Sequence, residues 1–102
     1  MCVEYIKYKI QKLKNEFEDC ERNRDYWHSE WTNSIHAVGA ASYLIDSFKE
    51  MLFCGRFVRV AENFKNRKIN YKETCLSKCK EYKKRMDEIE KEIVDLKKVM
   101  RG

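Results

Sequence analysis

This chain has 102 residues, no proline, three glycines, a 38% charged fraction and a net charge of +5. Little interrupts a helix and much keeps one solvated, which argues for an all-α protein. No apolar run approaches the roughly 20 residues that cross a bilayer, so a helical membrane span is excluded.

The N-terminal stretch has no secretory pattern, because Lys7, Lys9 and Lys12 interrupt any apolar segment. Neither a glycine at position 2 nor a terminal prenylation box is present. The expected setting is therefore cytoplasmic, with no membrane partner and with the five cysteines held as thiols.

The first predicted helix spans residues 3–31. Val3, Ile6, Ile10, Leu13, Phe17 and Cys20 follow alternating steps of three and four and so share one side. Arg24, Trp27 and Trp31 continue the spacing in weaker form. Thr32, Asn33 and Ser34 then read as a break, since each can cap a new helix with its side-chain oxygen.

A second helix over Ile35–Phe53 is the most apolar part of the chain. Ile35, Val38, Ala41, Ile45, Phe48 and Leu52 share a face, broadened by Leu44 and Met51. The small residues from Ala37 to Ser42 predict close approach of another helix, so this element is expected at the centre of the core. Gly55 should end or bend it. Phe57, Val60 or Ala61, and Phe64 suggest a short further helix; alternation over Phe57-Val58-Arg59-Val60 offers a strand instead.

Lys65–Ile69 reads as a polar connection. Asn70 followed by Glu73 resembles a capping box and should start a last helix reaching Met100. That helix carries a second seam: Cys75, Cys79, Tyr82, Met86, Ile89, Ile93, Leu96 and Met100. Glu81 and Arg85 form an attractive pair at four-residue spacing, whereas Glu88 and Glu92 repel, so buried packing must supply the helix's support.

Charge sets the expected orientation of the terminal helices. Residues 16–30 are acidic, residues 65–85 are basic, and 87–95 are acidic again. An antiparallel pairing matches opposite charges along its length; a parallel one does not. A plain three-helix chain would make those helices parallel. Either the chain reverses once more near Gly55, giving four elements, or the contact joins two chains. The expected fold is thus a single all-α domain over 1–102: an antiparallel three- or four-helix bundle with long heptad-patterned terminal helices, assembled as a coiled-coil-like dimer.

Three constellations bear on function. The first is Arg24, Tyr26, Trp27 and Trp31, a cluster of the residue types that dominate protein interfaces. The second is the basic surface of Arg56, Arg59, Lys65, Arg67, Lys68 and Lys72, suited to phosphate groups of a nucleic acid or nucleotide. The third is Arg22-Asn23-Arg24-Asp25-Tyr26-Trp27-His28. These seven residues resemble the arginine–asparagine…histidine motif of HEPN-type ribonucleases, helical bundles that work as dimers. That resemblance implies His28 as general acid or base and Arg22 as stabiliser of phosphorane charge. The family carries its motif late in the domain, whereas here it lies early.

A metal site could draw on Cys75 and Cys79 with Cys20, Cys54, His28 or His36. Cys20, Cys75 and Cys79 fall on seam positions, however, where a thiol acts as a small hydrophobe. No metal and no cofactor are expected. The leading expectation is a non-enzymatic adaptor or small inhibitor that binds a protein partner through a helix face and also self-associates. Anion binding is the first alternative, and the ribonuclease the second.

Overall fold

A computed structural model describes residues 2–51 and 55–102. It is all-helical. Two helices of 47 residues each, α1 (Val3–Lys49) and α2 (Gly55–Arg101), pack against one another. The expected bundle of three or four helices is replaced by two, because each internal break expected from local chemistry is absorbed into a continuous helix. The expectations at Leu52, Phe53 and Cys54 lie outside the described residues.

At the first expected break the hydroxyls do not cap anything. Thr32 Oγ1 donates to the His28 carbonyl at 3.1 Å, and Ser34 Oγ donates to the Glu30 carbonyl at 2.9 Å. Both bonds run one turn back inside α1, so the side chains are satisfied without ending it. Asn70 likewise starts nothing: its carbonyl accepts the Thr74 hydroxyl at 3.2 Å in the middle of α2. Lys65–Ile69 and Phe57–Val60 are helical too. Gly55 is the first residue of α2 rather than the last of its predecessor.

What carries the helices through these points is the seam itself. Among the buried and half-buried positions, those that form one seam on α1 are Ile6, Ile10, Leu13, Phe17, Cys20, Arg24, Trp27, Trp31, Ser34, Val38, Ala41, Ile45 and Phe48. On α2 they run Val58, Ala61, Lys65, Lys68, Lys72, Cys75, Cys79, Tyr82, Met86, Ile89, Ile93, Leu96 and Met100. Steps of three and four alternate without interruption in both. The mid-chain members Arg24, Ser34, Lys65, Lys68 and Lys72 are polar, which is why the pattern looks broken when only apolar residues are read. Lysine can occupy such a position because its methylene stem packs while its ammonium reaches solvent.

The chain packs as two compact units. One joins the residues up to Tyr26 with Lys78–Gly102; the other is Trp27–Ser77. In the first, the helices run antiparallel around Leu13, Cys20, Met86 and Ile89, with Phe17, Tyr82, Ile93 and Leu96 packed against them. Ile89 is fully buried. Arg85 spans the two helices, donating to both carboxylate oxygens of Glu16 at 2.7 and 3.0 Å. This pair realises the antiparallel charge match within one chain. Arg85 also reaches Glu88 and Glu92, while the expected Glu81 partner pairs with Lys78 instead.

The guanidinium of Arg85 holds the Glu16 carboxyl below the usual carboxylate range. A depressed folded-state value means that the pair stabilises the fold above the ordinary carboxylate value. That contribution fades as pH falls toward the depressed one. Glu16→Gln should therefore cost under ~1 kcal/mol at neutral pH, the scale of a half-exposed ion pair. Denaturation at pH 7 and at about pH 2 checks it: the difference from the unaltered protein should be present at the first and absent at the second.

The second unit is also antiparallel. Tyr71 donates its hydroxyl to Glu30 Oε2 at 3.0 Å, and the rings of Phe48 and Phe57 lie 5.7 Å apart. Its buried residues are small: Ser34, Ala41, Ala61 and Cys75, with Ile45 the one large aliphatic. The expected central helix is thus one flank of a two-helix layer, and a layer of two covers one side of each helix only. A Cβ added to Gly39 would meet nothing within 4 Å, so the small-residue stretch is open on that side, while Ala41 on its other side is buried against α2.

Candidate functional site

The aromatic–basic cluster does not form one exposed patch. Trp27 and Trp31 sit half-buried at seam positions, and Arg24 occupies a seam position as well, paired with Asp25 at 3.2 Å. Tyr26 alone of the four is well exposed. Arg24 and Tyr26 belong to the first unit, Trp27 and Trp31 to the second. Seam spacing alone foretold the tryptophans' inward placement, since Trp27 and Trp31 continue the series begun at Ile6.

The motif pair Arg22 and His28 is likewise divided between the units. The Arg22 side chain is exposed and ion-paired with Asp19 one turn back, whose carbonyl also accepts from the Asn23 amide at 2.9 Å. His28 is exposed, its ring 5.6 Å from that of Trp31.

The basic residues all lie on α2 of the second unit but not on one side of it: Lys65, Lys68 and Lys72 are on the seam, Arg67 stands one residue before it and Arg59 one residue after it. Arg56, Arg59 and Arg67 are exposed; Lys65, Lys68 and Lys72 are half-buried. Among the described residues none of the six makes an ion pair. Lys68 Nζ instead lies 5.6 Å from the Phe64 ring centre and 5.7 Å from that of Tyr71. Phe64, Arg67, Lys68 and Tyr71 line a shallow recess there. The hydrogen bond that Tyr71 gives to Glu30 is the main reason its phenol is pushed up to about 12. The first turn of α2 contains no acid, so its positive end and Arg56 are uncompensated locally.

Cys20 and Cys75 are buried free thiols and Cys79 is half-buried, its thiol donating to the Arg24 carbonyl at 3.7 Å. Burial pushes the Cys20 thiol up. Among the described residues no three His, Cys, Asp or Glu side chains converge as a metal would require. Cys54 lies outside them.

A surface that local reading missed lies in the second unit. Leu44, Phe57, Val60 and Phe64 are exposed, Val60 by 61%. Each stands one residue before a seam residue: Ile45, Val58, Ala61 and Lys65. Ala37, Ala40 and Ser47 on α1, and Arg67 and Tyr71 on α2, share that offset. Glu30 and Tyr71 also precede seam residues, and they bond to each other across the pair. Residues with this offset on either helix therefore lie on the same side of the unit. The side is a second heptad-spaced stripe on each helix, apolar and exposed at Ala40, Leu44, Phe57, Val60 and Phe64. Its signal was present in the sequence as Phe57, Val60 and Phe64 at steps of three and four.

No helix among the described residues is long and apolar enough to cross a membrane. No family model, curated protein or solved structure matches the chain.

Proposed function

We propose that this chain is a non-enzymatic interaction protein that binds another polypeptide through a helical face. The observation that carries the reading is the uncovered apolar side of the second unit. Solvated helix faces do not ordinarily keep phenylalanine, valine and leucine in step with the seam, and exposed apolar patches of this kind mark interaction sites. Phe57, Val60, Phe64 and Leu44 would supply the buried contact area. Arg67 within this side and Arg56 at its end would select a partner with acidic flanks. The half-buried placement of Trp27 and Trp31 moves the centre of the contact from the tryptophan cluster to this side.

Affinity isolation from the producing cells tests it. Tagged protein should retain a polypeptide, its own or another, that the Val60→Glu variant releases. Identical retention by both would remove this face from the interaction.

A second reading rests on the six cations, none of them ion-paired among the described residues. They favour phosphate groups of a nucleic acid or nucleotide, contacted with little base selectivity. Binding to a single-stranded oligonucleotide should then fall steeply between low and moderate salt. Affinity independent of salt would dismiss it.

A further inference from the structure

We infer that the uncovered side of the second unit is the seat of a second copy of this chain, in a two-fold dimer that sets α1 of each copy against α2 of the other. This rests on the interaction reading above and names the partner.

The two stripes differ in size. On α1 it is built from Ala37, Ala40, Leu44 and Ser47; on α2 from Phe57, Val60, Phe64, Arg67 and Tyr71. A helix of small residues leaves a groove, and a helix of aromatics supplies ridges to fill one. The two also differ in charge. The α1 stripe ends beside Glu50, whereas the α2 stripe begins beside Arg56 and contains Arg67. One molecule thus carries both halves of a complementary contact, which is the requirement for an isologous interface.

Two closed arrangements bring this side against itself. A two-fold axis lying across the helices sets α2 on α2. That places phenylalanine ridge on ridge and brings the Arg56 and Arg67 cations of both copies into one row. A two-fold axis running along the helices sets α2 on the partner's α1. Because this axis keeps every residue at its own level, Phe64 then meets the small side chains at Ala37 and Ala40, Phe57 meets Ser47, and Arg56 meets the partner's Glu50. Size and charge both select the second. Neighbouring helices in it are all antiparallel, so the four segments form a bundle of the kind the sequence predicts, built from two chains rather than one.

The extent is adequate. From Phe57 to Tyr71 the stripe is about 20 Å long at 1.5 Å per residue, and the helix pair is about 20 Å wide. Two such faces together bury on the order of 1,000 Å², the lower bound for a specific interface. The expected dimer is correspondingly modest, formed at micromolar concentration and weakened by salt.

Sedimentation equilibrium of the purified full chain from ~1 to ~100 μM tests the proposal, over the range where such interfaces associate. The expected result is a mass approaching twice 12.4 kDa. Val60→Glu and Leu44→Glu should each leave a monomer of unchanged helicity. Val94→Glu, at an exposed apolar site in the other unit, should leave the dimer intact. Ala40→Trp is the decisive variant. It enlarges the apolar surface and would strengthen indiscriminate association, but it fills the groove that the partner's aromatics need, so it should yield monomer. A monomeric wild type at ~100 μM, dimerisation unaffected by Val60→Glu and Leu44→Glu, or an Ala40→Trp dimer as tight as wild type would each overturn the proposal. A monomeric wild type that still retains a different polypeptide from cells, lost with Val60→Glu, would overturn the dimer and leave the interaction reading standing.

Discussion

Ile89→Ala should destabilise the protein by about 3 kcal/mol, the cost of truncating a fully enclosed aliphatic side chain. Ile89 is wholly buried and shares its cluster with Leu13, Cys20 and Met86. A pair of helices offers few neighbours to collapse into the space, so the cavity persists. The loss should fall on the first unit: amide exchange should accelerate over residues 3–26 and 78–101 before it does over 27–77. Chemical denaturation followed by circular dichroism gives the magnitude, and exchange gives the location. Val94→Ala, on the exposed side of the same stretch of α2, should change stability by under ~0.5 kcal/mol. If the two substitutions cost the same, this cluster is not the support of the first unit.

The opposite sign is expected at the polar part of the seam. Lys68 and Lys72 are half-buried at positions whose spacing calls for apolar side chains. Replacing both with leucine keeps the stems' packing, removes two ammonium groups that must be kept hydrated, and covers more apolar surface. A gain of about 1–2 kcal/mol follows from the area involved. The seam lysines are thus the place where the fold gives up stability. A polar residue at such a position restricts register and association state. A lowered denaturation midpoint in Lys68→Leu/Lys72→Leu would mean that the ammonium groups contribute more than the added apolar area, with the contact of Lys68 to Phe64 and Tyr71 as the source.

The outer parts of both helices were legible in the sequence because their seams are apolar: Ile6 to Cys20 and Cys75 to Met100 read at sight. Antiparallel pairing was legible too, from blocks of opposite charge, and Arg85 with Glu16 bears it out. The middle misled for two physical reasons. Thr32, Ser34 and Asn70 have side chains or carbonyls that can serve a cap or a continuing helix equally, and which one prevails depends on tertiary burial. Lys65, Lys68 and Lys72 hide seam positions because lysine's charge masks an apolar stem. Once those three are admitted to the spacing, Gly55 falls at the head of a long helix and the extra elements vanish. The candidate surface was harder still. Phe57, Val60 or Ala61, and Phe64 suggested only a short further helix, and the burial of Ala61 with the half-burial of Val58 shows that Phe57, Val60 and Phe64 face out.

Cys20 and Cys75 acquire a different meaning from their placement. Each is a buried thiol, one in each unit. A modifying reagent reaches a buried thiol only when its surroundings open. The chain therefore carries two intrinsic clocks: alkylation of Cys20 times the opening of one unit, and alkylation of Cys75 times the other. At these two sulfurs oxidants must wait on the same clocks, so their chemical lifetime is set by how often each unit opens, whereas the exposed Cys2 thiol is open to reagents throughout.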